Sequence, residues 1–234
     1  MGNVFRFKQF EVDQEGCAMR INTDGVLLAA IATHANPHSI LDVGTGTGVM
    51  ALMLAQRFPD AKVDAVEIDE QASKAAAKNF KDSPYADRLA VFNADIAKFK
   101  TRGRYDMIIS NPPFFVNDLK NAEGRKRLAR HTDEDFFNSL LQKSDELLTD
   151  DGVMWLILPV KQADLIIAHC VVHNLALQQE ISICSDVSKP VIRKIICLGR
   201  DRSVVNRSMF YIYEANAIYT ADYKRLLKDF FLAF

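Results

Sequence analysis

The chain has 234 residues, of which 49% are hydrophobic and 25% charged, and its formal net charge is -1. This is the composition of an ordinary globular protein, and the near-zero balance excludes a polycation that holds nucleic acid by overall charge, so such a partner needs a local basic patch. No run approaches the roughly 18 apolar residues of a membrane helix, and the opening MGNVFRFKQF lacks an apolar export core, so no membrane partner and a cytoplasmic location are expected.

The predicted elements run as follows. VFRFKQFEVDQEGCAMRI has the alternation of a short hairpin turning near Gly16. TDGVLLAAIATHA reads as a helix beginning at Thr23 or Asp24. Strand and helix patterns then alternate. SILDV is a buried strand, GVMALMLAQRF a helix, KVDAVEI a strand and EQASKAAAKNF a helix. RLAVFN and YDMIIS are strands, DEDFFNSLLQKSDELL a helix, VMWLIL a strand and KQADLIIAHCVVH a helix. The alternation predicts an α/β fold with a mostly parallel sheet and helices on both faces. Near the end, VIRKIICLGR and RSMFYIYEA read as two strands joined by a polar turn, an antiparallel hairpin at the sheet edge, before a closing helix in TADYKRLLKDFFLAF. Residues 114–132 show no clear periodicity, and so long a connection usually carries function. One domain over 1–234 is expected, with the hairpin and first helix in 1–36, the core in 37–160, and the rest of the sheet and the closing helix in 161–234. Cys17, Cys170, Cys184 and Cys197 lack C-x-x-C spacing and read as buried thiols, so no metal is expected.

Two motifs carry chemistry. LDVGTGTGV joins the first core strand to its helix, at the end of the sheet where open α/β folds bind ligands. A dinucleotide fingerprint, G-x-G-x-x-G, would need a glycine three residues after Gly46, and that residue is Val49. The pattern is D-x-G-x-G-x-G, with Asp42 ahead of Gly44, Thr45, Gly46 and Gly48. An acid so close to the loop repels a pyrophosphate and suits a cation, which favours S-adenosylmethionine, a sulfonium with an ammonium and no phosphate, over a nicotinamide cofactor. Glu67 ends the second core strand about 20 residues on, where a ribose-binding acid belongs. Asp69 reads as a helix N-cap. Asp95 is placed either to accept from the adenine amino group or to cap the IAKF turn.

The second motif is SNPPFF, residues 110–115, at the end of a buried strand that two prolines cannot continue. With DVGTGTG it makes the chain resemble the class I S-adenosylmethionine-dependent methyltransferases, NPPF being similar to the [D/N/S]-P-P-[Y/F/W] motif of members that methylate amines. The resemblance implies a Rossmann-like fold with a seven-stranded, mostly parallel sheet and a C-terminal antiparallel hairpin. It also implies that Asn111 and Pro112 are catalytic: the amide oxygen and the proline carbonyl accept the two N–H groups of an exocyclic amine, aim its lone pair and stabilise the developing positive charge. Pro113 and Phe114 would hold the base, Phe114 by stacking. Within the class, FRFKQFEV, RINTDGVLLAA, ISNPPFF, RLARHT and YTADYKRLLKDFFLAF resemble the bacterial tRNA(Val) (adenine-37-N6)-methyltransferases. That implies tRNA as partner and a role for Thr23 and Asp24 in closing the cofactor pocket; separately, a monomer is expected.

Arg125, Lys126, Arg127 and Arg130, just past NPPF, form the basic patch a phosphate backbone needs; Lys189, Arg193, Lys194, Arg200, Arg202 and Arg207 add to it. The same motif chemistry also serves guanine N2 of ribosomal RNA or glutamine N5 of a protein, and a non-catalytic RNA-binding module could keep such a pocket.

Overall fold

A computed structural model describes the backbone of residues 3–17, 19–112, 123–202, 204–215 and 217–234, and the side chains of all of these except 123–134. The elements are β1 (Val4–Arg6), β2 (Glu11–Asp13), α1 (Thr23–Ile31), β3 (Ser39–Val43), α2 (Val49–Arg57), β4 (Lys62–Glu67), α3 (Glu70–Lys81), β5 (Leu89–Asn93), β6 (Tyr105–Ser110), α4 (Glu123–Leu147), β7 (Leu148–Leu158), α5 (Val160–His169), β8 (Ala176–Cys184), β9 (Val191–Gly199), β10 (Asn206–Tyr211) and α6 (Ala221–Leu227).

Strands β3 to β10 form one sheet in the order β10-β8-β9-β7-β6-β3-β4-β5, antiparallel only where β9 meets β7 and β8. The chain works outward from β3 through β4 to β5, then returns to lay β6 on the other side of β3. Such a reversal opens a crevice above the carboxyl ends of the two central strands. One face of the sheet buries residues of α1, α2, α3, α6 and the β1–β2 hairpin; the other buries residues of α4 and α5. Helix α2 is buried from Val49 to Ala55 because α1 covers the side that the sheet does not, so neither helix needs a polar stripe. Arg57 closes the end of α1, donating to the carbonyls of Ala29 (2.5 Å) and Ala32 (2.6 Å). The buried indole of Trp155 on β7 donates to the Thr33 carbonyl at 3.0 Å.

Several expectations change. The first hairpin turns at Phe7–Phe10, where the Phe7 N–H donates to the Phe10 carbonyl, and Gly16 serves a later turn at positive φ. Among the described residues the sheet has eight strands. ALQQEISIC, not read as a strand, is β8, and it lies between β9 and β10, so the C-terminal antiparallel hairpin is β8–β9 and β10 pairs parallel to β8 at the edge. Its interior holds Gln178, Gln179 and Glu180, which mask the alternation, and Glu180 is satisfied by Lys194 (2.7 Å) and Arg207 (3.2 Å) from the flanking strands. The segment expected as a loop over 114–132 is helical from Glu123 onward; residues 113–122 lie outside the described residues.

Gly48 tests this packing. It begins α2 at φ +82°, and a Cβ there would stand 2.5 Å from Cε1 of Phe80, whereas one on Gly44 (φ +73°) would meet nothing within 4 Å. In urea unfolding without ligand, Gly48→Ala is expected to cost about 3 kcal/mol, strain plus overpacking, and Gly44→Ala about 1 kcal/mol, strain alone. Equal costs would exclude the Phe80 contact as the cause.

Candidate active site

Strands β3 and β6 end level with each other, Val43 opposite Ser110. The glycine turn after β3 and the Asn-Pro turn after β6 therefore lie side by side. Between them and the ends of β4 and β5 is a cavity of about 540 Å³, within the range of small-molecule sites. Gly44, Gly46, Glu67, Asp69, Asp95, Ile96, Asn111 and Pro112 line it, with Cys17 and Met19 from the segment after β2 and Asp135, Phe136 and Ser139 from α4. A small side cavity of about 40 Å³ runs under Asn22 and Gly25 and shares Gly44, Gly46 and Asn111.

The charged groups on the main wall are Glu67, Asp69, Asp95 and Asp135; no lysine or arginine is among its described lining residues. Phosphates are disfavoured there and a cation is favoured. A Cβ on Gly44 or Gly46 would meet no protein atom within 4 Å, so the loop backbone is open to a ligand. Glu67 is 8% exposed, and its two oxygens accept from the N–H groups of Gly46 and Asp69, each at 2.9 Å. Each keeps a lone pair for a further donor. Asp95 caps the turn after β5, taking the Ala97 N–H at 3.0 Å, while lining the cavity. Asp69 caps α3 through the Ala72 N–H at 2.8 Å.

Asn111 carries the most informative atom. It is 9% exposed and lines both cavities, and its Oδ1 is buried without a hydrogen-bond partner among the described residues. Its Nδ2 donates to Asn22 Oδ1 at 3.4 Å. An orphaned buried acceptor costs about 1–3 kcal/mol, so such groups call for an explanation in function.

Four anticipated residues are placed differently. Thr23 is solvent-exposed and lines neither cavity, because Asn22 takes the N-cap of α1, accepting the Gly25 N–H at 2.9 Å. Asp42 lies under the loop rather than on the wall: it is fully buried, and the Thr45 hydroxyl donates to it at 2.6 Å. Thr45 itself lines only the side cavity. Gly48 faces Phe80. Pro113 and Phe114 lie outside the described residues. Arg125, Lys126, Arg127 and Arg130 fall on the first turns of α4, and their side chains lie outside the described residues too.

A family model described as the methyltransferase small domain matches residues 20–174. The chain belongs to that methyltransferase family. Relatives include the tRNA1(Val) (adenine(37)-N6)-methyltransferase of Pedobacter heparinus, 54% identical over 234 residues and covering 100% of both chains. The tRNA1(Val) (adenine(37)-N6)-methyltransferase of Trichodesmium erythraeum is 39% identical over 237 residues, covering 100% of this chain and 99% of the relative. Among solved structures, a predicted O-methyltransferase from Agrobacterium tumefaciens superposes with a TM-score of 0.70 over 88% of this chain and 96% of that one, at 17% identity, a likeness of fold.

Some wall residues of the methyltransferase had no signal in the sequence. Cys17, Met19 and Phe136 reach the cavity only because the segment after β2 crosses it and α4 descends beside it. Asn22 had one: asparagine is among the strongest N-cap residues, and it precedes the first turn of the helix.

Burial raises the Asp42 carboxyl to about 7, against the Thr45 hydrogen bond, which lowers it. The folded methyltransferase thus holds a proton that the unfolded chain, with a value near 3.9, releases. The resulting stability is complete below about pH 4 and is lost as pH rises through about 7. Asp42→Asn removes this dependence while keeping an acceptor for Thr45. Its melting temperature relative to the parent should climb by several degrees between about pH 5 and pH 8; parallel pH profiles would show that Asp42 does not titrate in that window.

Proposed function

We propose that the protein transfers the methyl group of S-adenosylmethionine to N6 of an adenine in tRNA, at position 37 of valine tRNA, and that it does so in the cytoplasm. The observation that carries this reading is the buried Oδ1 of Asn111, without a hydrogen-bond partner among the described residues, on a side chain that belongs to the wall of an acid-lined cavity. The substrate follows the names of the full-length relatives, among them one 54% identical to this chain.

When bound, S-adenosylmethionine supplies an electrophilic methyl group on a sulfonium. Gly44 and Gly46 would let it approach the backbone, Glu67 would accept from its ribose hydroxyls and Asp95 from its adenine amino group. The four wall carboxylates would favour its positive charge. The Asn111 Oδ1 and the Pro112 carbonyl would accept the two N–H groups of adenine N6. That draws the nitrogen lone pair out of the ring and toward the methyl carbon. Held in this way the amine would be ready for methylation, and the proton it gives up would pass to water. No side-chain base is needed, because the methylated ammonium is acidic, and alignment supplies most of the rate.

On the RNA side, the C-terminal cations contribute less than their number suggests. Arg193 pairs with Asp24 (2.7 Å), Arg200 with Asp145 (2.9 Å) and Arg207 with Glu180 (3.2 Å), while Lys194 bridges Asp164 and Glu180 at 2.7 Å each. Arg200 also sits beside Asp145 and Thr149, at the end of the sheet away from the cavity. We assign the phosphate contacts to Arg125, Lys126, Arg127 and Arg130.

Asn111→Ala is expected to fold and to bind S-adenosylmethionine as the parent does, yet transfer no methyl group to total tRNA, with labelled N6-methyladenosine as the readout. Undiminished label would remove the mechanism. Changing Arg125, Lys126, Arg127 and Arg130 together to Ser should weaken tRNA binding and reduce the slope of log K against log salt by about 3. An unchanged slope would transfer the phosphate contacts elsewhere.

A further inference from the structure

Asn111 can act as an acceptor only if its amide is turned the right way, since the two orientations have nearly the same shape and opposite polarity. The backbone N–H of Gly25 is a donor without ambiguity, and it points at the Asn22 side chain at 2.9 Å, so that atom of Asn22 is its oxygen. The same oxygen faces the Asn111 amide at 3.4 Å, and that neighbour must then be the NH2, because two carbonyl oxygens would repel. The other end of Asn111, its unpartnered buried Oδ1, is thereby left as the acceptor.

We propose that Asn22 is a positioning residue for methyl transfer: the Gly25 N–H orients Asn22, and Asn22 orients the Asn111 amide so that oxygen rather than NH2 meets the substrate amine. With the amide reversed, its NH2 would oppose the substrate's own N–H groups. Asn22 is suited to the task because it belongs to a different element. It is the N-cap of α1, which packs against α2 behind the glycine loop and is closed at its other end by Arg57. The side cavity beneath it is lined by Gly25, Thr45, Met50 and Asn111, which joins the glycine loop to the Asn-Pro turn. Asn22 touches neither substrate nor cofactor in this account and acts through Asn111.

The inference rests on the proposed role of Asn111, and the test separates the two. Asn22→Ser keeps a good N-cap but is too short to reach Asn111, whereas Asn22→Asp keeps an acceptor for both N–H groups. Thermal unfolding, S-adenosylmethionine affinity by calorimetry, and kcat and KM with valine tRNA transcript are measured for the parent, both variants and Asn111→Ala. Asn22→Ser should retain its melting temperature, its cofactor affinity and its KM for tRNA, while kcat falls about tenfold. Asn22→Asp should return kcat to within about threefold of the parent. Parental kcat in Asn22→Ser would overturn the inference, as would a loss shared with cofactor affinity or stability, or an Asn22→Asp as slow as Asn22→Ser. Turnover by Asn111→Ala would instead bring down the underlying mechanism, and an inactive Asn111→Ala beside a fully active Asn22→Ser would remove only the role of Asn22.

Discussion

The Ser110 hydroxyl donates to the Val43 carbonyl at 2.8 Å, with Ser110 wholly buried. This one bond joins the last residues of β3 and β6, the strands that flank the point where the sheet order reverses. Ladder pairing ends at that level, and the two chains go different ways, one into the glycine turn and the other into Asn-Pro-Pro. A side chain that bonds across the gap keeps the two turns in register where the backbone no longer can. The cavity depends on that alignment, because its loop wall comes from β3 and its amide wall from β6.

The surrounding groups are held in the same way, by side chains that take up the backbone groups strand ends leave free. Glu67 accepts the Gly46 and Asp69 N–H groups and so ties the end of β4 to the glycine turn. Asn79 on α3 exchanges bonds with both backbone groups of Asp13 and donates to the Thr47 carbonyl at 2.9 Å, fixing the turn to the N-terminal hairpin. Arg88 donates to the carbonyls of Ala55, Phe58 and Ala61, closing the end of α2. Each of these bonds is satisfied within the protein, so the described part of the pocket wall is formed before any ligand arrives.

The alternation of apolar runs with helical periods made the order β3-α2-β4-α3-β5-β6 legible, and the spacing within DVGTGTG pointed to a nucleoside cofactor, while the amine came from the resemblance of NPPF to a family motif. β8 escaped because a strand is read by its alternation, and here polar side chains sit on a strand whose partners supply the counter-charges, information held by β9 and β10. The early turns of α4 escaped for a related reason: EGRKRLARHT offers no apolar face. Glu67 and Asp95 both line the cavity. Thr23 and Asn22 are both exposed, yet only Asn22 takes the cap, a distinction of φ and ψ that no residue count carries. Asp42 was legible as an acid beside the loop but not as one beneath it, since the direction of a strand's side chain is decided by the sheet it joins.

The internal pairing of the C-terminal cations bears on how the enzyme meets a polyanion. Electrostatic steering needs an unbalanced field that reaches beyond the molecular surface. Asp24, Asp145, Asp164 and Glu180 lie at bonding distance from Arg193, Arg200, Lys194 and Arg207, so these four cations project less potential into solvent than their number suggests. Those four positions therefore add little to long-range steering and act at short range, once two surfaces touch.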